Sequence, residues 1–179
     1  MKVKIETERL ILRDLENSDA TELAEQGNEK EINYFVWYIP YPFREQDAKK
    51  LIENRRKDYR KKRGIYELAI IHKESGKLMG LVSLYNIDKE NNRAKIGYWL
   101  GNGYRGKGYA SETIKKMIEF GFKELKLNKL SAKALASNEK SNKLLERLGF
   151  RMVGVKRKDK KNGKDYLDTV IWELLNEDD

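Results

Sequence analysis

The stretch Gly97-Tyr-Trp-Leu-Gly-Asn-Gly-Tyr-Arg-Gly-Lys-Gly-Tyr-Ala110 constrains the fold of this chain more than any other. The apolar run from Ile96 to Leu100 has the length and aromatic content of a strand. Gly101, Gly103, Gly106 and Gly108 follow it. From Ala110 to Leu125 the apolar residues Ile114, Met117, Ile118, Gly121 and Leu125 then fall on one helical face. A strand that turns through glycines into a helix N-terminus makes an anion site. The glycines let backbone N–H groups approach closely, and the helix dipole favours negative charge at that end.

The remaining chain reads as support for that unit. Thr7 to Leu15 predicts a first strand around Leu10-Ile-Leu12, and Ser18 starts a helix that runs to Asn28. Ile32 to Phe43, with Tyr34, Phe35, Trp37, Tyr38, Tyr41, Phe43 and two prolines, predicts a loop around a short helix. A long helix is expected over Glu45 to Arg63, with Ala48, Leu51, Ile52 and Tyr59 as its apolar stripe and Gly64 as its stop. Ile65 to His72 and Leu78 to Ile87 predict a hairpin about Glu74-Ser-Gly-Lys77, and Arg93 to Leu100 the next strand. Leu130 to Leu135 is a further strand. Asn138 to Leu148 is a short helix closed by Gly149. Phe150 to Lys158 and Lys164 to Leu174 pair around Asn162-Gly163. The order β-α-α-β-β-β-α-β-α-β-β over 179 residues, without repeat or linker, predicts a single α/β domain, residues 1–179, built on one mixed sheet with helices on both faces.

Residue usage removes several chemistries. With no cysteine there is neither a disulfide nor a thiol nucleophile, and the single histidine, His72, rules against a His-based triad or a multi-His metal site. His72 sits at the end of a hairpin strand, where a surface role is the reading. No apolar run is long enough to span a membrane and the first residues have no signal-peptide character, so a cytoplasmic protein is expected. The formal charge of +9 favours anionic ligands, acidic proteins or RNA. Much of it lies on the long helix (Lys49, Lys50, Arg55, Arg56, Lys57, Arg60, Lys61, Lys62, Arg63) and near the last hairpin (Lys156, Arg157, Lys158, Lys160, Lys161). Both clusters read as solvated faces or as nonspecific phosphate contacts of the kind RNA offers.

Arg105-Gly-Lys-Gly-Tyr-Ala110 resembles the Q/R-x-x-G-x-G/A signature of the GCN5-related N-acetyltransferases (GNAT). Ile96-Gly-Tyr-Trp-Leu100 resembles that family's fourth strand, Asn138-Glu-Lys-Ser141 its N-x-x-S element, and Glu146-Arg-Leu-Gly-Phe150 the E-x-x-G-F that follows. Thr7-Glu-Arg-Leu-Ile-Leu-Arg13 is similar to the RimJ/RimL branch, which acetylates ribosomal-protein N-termini.

The resemblance implies a central, mostly antiparallel sheet whose fourth and fifth strands splay apart. It also implies acetyl-coenzyme A (acetyl-CoA) as donor and a primary amine as acceptor, with no metal. The acceptor is a protein N-terminus, a polyamine or another small amine. A non-catalytic acetyl-CoA-binding module is the alternative, and a monomer or homodimer fits either reading. Backbone groups of Tyr98, Trp99 and Leu100 would meet the pantetheine arm and the thioester. N–H groups of Arg105, Gly106, Lys107, Gly108, Tyr109 and Ala110 would hold the pyrophosphate. Asn138 and Ser141 would touch the cofactor or cap their helix, and Ser141 would protonate the leaving sulfur or only bond the pantetheine. The amine, with an ordinary pKa of about 8 for an N-terminus and about 10 for lysine, must lose a proton. Glu112 and a water chain with no single base stand as routes, and the water chain is preferred, because Lys95 occupies the place where related proteins carry an acid. Trp37, Tyr38 and Tyr41 would wall the acceptor groove or plug the core, and Tyr85 and Asn86 would line the acceptor site.

Overall fold

The computed structural model describes residues 3–60 and 64–176. Lys61, Lys62 and Arg63, the end of the expected basic helix, lie outside the described residues, and Tyr59 and Arg60 are described only for their backbone. A short hairpin comes first, β1 (Lys4–Glu6) and β2 (Leu10–Asp14), followed by α1 (Ala20–Gly27), α2 (Lys30–Phe35) and α3 (Glu45–Arg60). β3 (Tyr66–His72), β4 (Leu78–Asp88) and β5 (Arg93–Leu100) form a meander, and α4 (Tyr109–Glu119) continues into a π-helical turn, Phe120–Glu124. β6 (Lys129–Leu135), α5 (Glu139–Arg147), β7 (Arg151–Asn162) and β8 (Asp165–Leu175) complete the fold.

The sheet has eight strands in the order β1-β2-β3-β4-β5-β6-β8-β7, and every pair is antiparallel except β5–β6. Alternation along the strands separates two cores. Leu68, Ile70, Ala94, Ile96, Leu130, Ala132 and Trp172 face one way, onto Ile114 and Met117 of α4 and Leu144 and Leu145 of α5. Ala69, Ile71, Leu81 and Trp99 face the other way, onto Leu23 of α1, Ile32 of α2, and Ala48 and Ile52 of α3. Each fully buried Leu or Ile contributes about 1.5–3 kcal/mol relative to exposure, so both layers hold the sheet from opposite sides.

Three boundaries differ from expectation. The first strand is two, because Thr7 to Arg9 form the turn of a hairpin whose outer strand, Lys-Ile-Glu, has one apolar residue and no readable alternation. The last hairpin closes at Asn162↔Asp165, so its two-residue turn is Gly163-Lys164, with Gly163 at φ 60°. Glycine at the first central position is the type II′ preference. The helix over Ala110 to Leu125 is α-helical only to Glu119 before the π turn.

The feature that positions the site is a gap in the middle of the sheet. β5 pairs with β4 up to Leu100, and β6 pairs with β8 along its whole length to Leu135, but β5 and β6 pair only at Arg93↔Lys129, Ala94↔Leu130 and Lys95↔Ser131. Beyond Lys95 the two parallel strands separate. The opposite edge of β5 is held closely by β4: a Cβ on Gly80 would lie 2.1 Å from the Trp99 carbonyl oxygen. Gly80→Ala is expected to cost about 2 kcal/mol in chemical denaturation. Gly154→Ala on β7, where a Cβ meets nothing within 4 Å, is expected to stay within about 0.5 kcal/mol of the parent.

Candidate active site

The phase of the β4–β5 ladder decides which backbone groups line the gap. Gly101 N–H donates to Met79 O at 2.9 Å. With the register Leu81↔Trp99 and Ser83↔Gly97, this assigns Gly97 and Trp99 to bonds with β4 and turns the N–H and C=O of Ile96, Tyr98 and Leu100 toward β6. Leu100 O is taken by Arg105 Nε at 2.8 Å. Tyr98 N–H and C=O and Leu100 N–H are therefore the strand groups offered to an extended ligand in the gap. Trp99 differs from the expectation: its backbone belongs to the ladder, and its indole, 5% exposed, packs in the α1–α3 core.

At the far end of β5 the glycine loop bends twice through positive φ, 75° at Gly106 and 83° at Gly108, and α4 starts at Tyr109. The first bond of the helix is Glu112 N–H to Gly108 O. The N–H groups of Tyr109, Ala110 and Ser111 are thus the orphan donors of its first turn, beside the dipole's positive end. A side chain at Gly106 would meet nothing within 4 Å, so this face of the loop is open. The Arg105 side chain points elsewhere. It bonds Leu100 O and makes ion pairs with Glu29 and Glu31, while Glu29 also accepts Asn102 N–H at 2.7 Å. These contacts set the loop's shape, so Arg105 acts here as a buttress. Lys107 Nζ folds back onto Gly103 O at 2.8 Å.

The α4 side of the loop is held by a clamp. Glu112 accepts Thr7 Oγ1 at 2.6 Å, Arg9 N–H at 2.9 Å and Arg9 Nε at 2.7 Å, and pairs with Arg9 Nη2 at 2.7 Å. Arg9 Nη1 also donates to Lys107 O, and its guanidinium lies 4.6 Å from the centre of the Tyr109 ring. Tyr109 Oη in turn meets His72 Nε2 at 3.2 Å. Burial opposes charge on Glu112, but the bonds from Thr7 and Arg9 outweigh it and hold the carboxyl below its ordinary value. Its lone pairs are occupied and its basicity is lowered, which is the profile of an anchor for the loop.

On the α4–α5 side of the gap, Tyr98 Oη and Ser141 Oγ lie 2.8 Å apart. Burial pushes the Tyr98 phenol up, so it stays protonated at neutral pH. Asn138 caps α5 by accepting Ser141 N–H at 3.1 Å, which aims the Ser141 side chain. Asn142 ties the region together: its Nδ2 donates to Leu135 O and Asn138 O, and its Oδ1 accepts Trp172 Nε1.

On the opposite face, Tyr85, Lys95 and Gly97 form a floor. The Tyr85 ring would lie 3.3 Å from a Cβ at Gly97, and burial pushes its phenol up. Asn86, at φ 52°, lines a hollow next to Lys95. Lys160 Nζ of β7 donates to Tyr34 O of α2 at 2.8 Å, which ties the β7–β8 hairpin to that helix. Trp37 is 78% exposed at the rim. Tyr38 instead turns inward and donates to Glu67 Oε1 at 3.0 Å, while Arg55 Nε bonds Glu67 Oε2. Burial, then the neighbouring carboxylate, push the Tyr38 phenol far up. Sequence reading did not single out Glu67, Glu29 or Glu31, because isolated acids carry no spacing signal. On α3, Lys49 and Lys57 pair with Glu45 and Glu53, Arg55 with Glu67, and Arg56 bonds Asn17. Three of the helix's cations, Lys49, Arg55 and Lys57, are thus paired with acids within the fold. Among the described residues no group of acids or histidines is arranged for a metal, and no helix is long and apolar enough to cross a membrane.

A splayed pair of parallel strands, ending in a glycine loop at a helix N-terminus, defines an acyl-CoA-dependent N-acyltransferase. The model of the acetyltransferase (GNAT) domain matches residues 9–151, and the chain belongs to that family. It is 35% identical over 171 residues to the uncharacterised N-acetyltransferase p20 of Bacillus licheniformis, covering 94% of each chain. It is 32% identical over 171 residues (94% of this chain, 92% of the relative) to YdaF of Bacillus subtilis (strain 168), whose name assigns it provisionally to ribosomal N-acetyltransferases. Among solved structures, the microcin C7 self-immunity acetyltransferase MccE, in complex with acetyl-CoA and AMP, superposes with a TM-score of 0.82 at 27% identity over 95% of this chain and 94% of its own. The chain is an acetyl-CoA-dependent N-acetyltransferase, and the expected fold, with the strand separation after Lys95, is present.

Replacing Glu112 by Gln is expected to destabilise the protein by about 2 kcal/mol and to raise KM for acetyl-CoA, leaving the shape of the pH–rate profile unchanged. Because the folded carboxyl titrates below its ordinary value, the clamp contributes fully above that value, about 4.3. Its contribution is lost as pH falls through the lower folded value. Urea titrations of parent and variant from pH 7 to pH 3 should therefore converge at the acid end.

Proposed function

We propose that this enzyme acetylates the N-terminal amine of a protein, of the ribosomal-protein type, by direct attack within a ternary complex. The observation that carries this reading is the two-sided gap. One side presents the Tyr98–Ser141 pair, and the other face carries a hollow beside Lys95, so donor and acceptor can occupy the site together. The absence of cysteine from the sequence removes a thiol acyl-enzyme route. The relation to YdaF supports the protein N-terminus as acceptor.

Acetyl-CoA supplies the activated acetyl thioester when bound. The gap-facing groups of Tyr98 and Leu100 suit a pantetheine arm that lies like a strand, and the open N–H groups at the start of α4 suit a pyrophosphate. Tyr98 N–H is the donor placed for the thioester oxygen. Ser141 Oγ, aimed by the Asn138 cap, donates to the departing sulfur, and the Tyr98 hydroxyl behind it keeps that donor oriented. Trp37, Tyr85 and Asn86 border the entry of the amine, while Tyr38 serves by fixing the turn that carries Trp37. The nearby carboxylates are engaged: Glu112 by Thr7 and Arg9, Glu67 by Tyr38 and Arg55, Asp88 by Arg93 and Glu173 by Lys129. The amine proton leaves through water in the open groove. Holding amine and thioester together supplies most of the acceleration, of order 7 kcal/mol in well-oriented cases.

Ser141→Ala is expected to lower kcat by about 100-fold with little change in KM for acetyl-CoA, whereas Glu112→Ala affects KM more than kcat. Thiol release, with N-terminal peptides as acceptors, reads both. A full loss of turnover with Glu112→Ala at saturating acetyl-CoA would identify Glu112 as the base and overturn the water route.

A further inference from the structure

We infer that the hollow below the gap receives an acidic side chain of the acceptor polypeptide, about three residues from the acetylated amine; this rests on the amine acetylation proposed above. The hollow has a volume of about 470 Å³ and is lined by Asn86, Lys95, Ser131, Lys133, Lys156 and Glu173, among others. It starts where β5 and β6 part, since Lys95↔Ser131 is their last paired position. Its strand residues Lys95, Ser131 and Lys133 alternate with Ile96 and Leu130, which pack toward α4 and α5. The hollow therefore opens on the face opposite Ser141, the face from which the amine arrives.

Its charge is one-sided. Five cationic side chains (Arg93, Lys95, Lys129, Lys133 and Lys156) line it against two acids, Asp88 and Glu173. Arg93 pairs with Asp88 and Lys129 with Glu173, both at 3.0 Å, and Lys133 reaches Asp159 only at 3.7 Å. Among the described residues, Lys95 and Lys156 have no carboxylate partner. Concave walls of one sign concentrate the field and attract the opposite charge. Lys95 is three strand positions from Tyr98, about 10 Å at 3.3 Å per residue. An extended peptide with its amine at the Tyr98 level thus places its third or fourth side chain over Lys95. The same field repels a polyamine.

The test uses N-terminal peptides of identical first two residues that carry Asp, Asn or Lys at positions three and four, with saturating acetyl-CoA at low ionic strength. KM is expected to rise in the order Asp, Asn, Lys, with Asp ahead of Asn by about fivefold or more and the difference shrinking as salt is added. In the double variant Lys95→Ala/Lys156→Ala the Asn-to-Asp ratio of KM values falls toward one, and Lys95→Glu reverses the order. Equal KM values for Asp and Asn peptides with the parent enzyme would overturn the inference while leaving acetyl transfer intact. If no peptide is acetylated although acetyl-CoA binds, the acetylation proposal fails. Titration of fluorescent versions of the same peptides into the CoA-loaded enzyme then decides the hollow separately. Tighter binding of the Asp peptide supports the inference, and equal affinities overturn it.

Discussion

The structure depends on leaving one pair of strands unjoined in the middle of a sheet. Unpaired N–H and C=O groups are costly where water is scarce, and an open strand edge invites another chain. Here the separation of β5 from β6 is imposed from both outer sides. β5 is drawn onto β4 by a ladder reaching Leu100, with Gly80 allowing the closest approach, and β6 is drawn onto β8 along its full length. Two well-made ladders pull apart the strands between them, and the open edge of β5 becomes a template for an extended ligand. Tyr98 and Ser141 span the opening on one side, so it is widened without being collapsed.

The donor loop is held with equal care by residues distant in sequence. Arg105 and Glu29 fix its entrance, and Thr7, Arg9 and Glu112 fix its exit onto α4. Both sets use charge-assisted bonds, which are stronger than neutral ones and restrict geometry. Between them, the N–H groups of Tyr109, Ala110 and Ser111 precede the first bond of α4 and have no partner within the helix. A loop rich in glycine has high conformational entropy, and these anchors remove much of it before a ligand arrives. The Thr7-Glu-Arg-Leu element at the start of the chain thereby acquires a physical purpose: it grips the helix that carries the anion site.

Donor and acceptor halves of the site are built on different principles. The donor half uses backbone atoms, so it tolerates variation in side chains. The proposed acceptor half instead presents side chains, among them Asn86, Lys95, Ser131, Lys133 and Lys156 around the hollow. On the proposed function, charges such as those of Lys95 and Lys156 would tune the choice of acceptor without disturbing the backbone groups of the gap.

The sequence by itself determined the order of elements from β2 onward, the mixed sheet with helices on both faces, and the glycine loop at a helix N-terminus. Those rest on local properties: periodicity, glycine at left-handed positions, and a helix N-terminus following a strand. Gly149 at the end of α5 and the turn at Gly163 were legible for the same reason, although the turn lies one residue later than Asn162-Gly163 suggested. Only the tertiary structure decided what each polar side chain does. Glu112, a candidate base by position, is turned into an anchor by Thr7 and Arg9, about a hundred residues away in the chain. Trp99 and Tyr98 are neighbours in one strand, yet the phase of the β4–β5 ladder gives the gap to one and the core to the other. Tyr38 and Trp37 part in the same way, one drawn in by Glu67 and one left at the rim. The physical reason is common to all three. A side chain's partner is set by register and by long-range packing, and neither is written in the spacing of neighbouring residues.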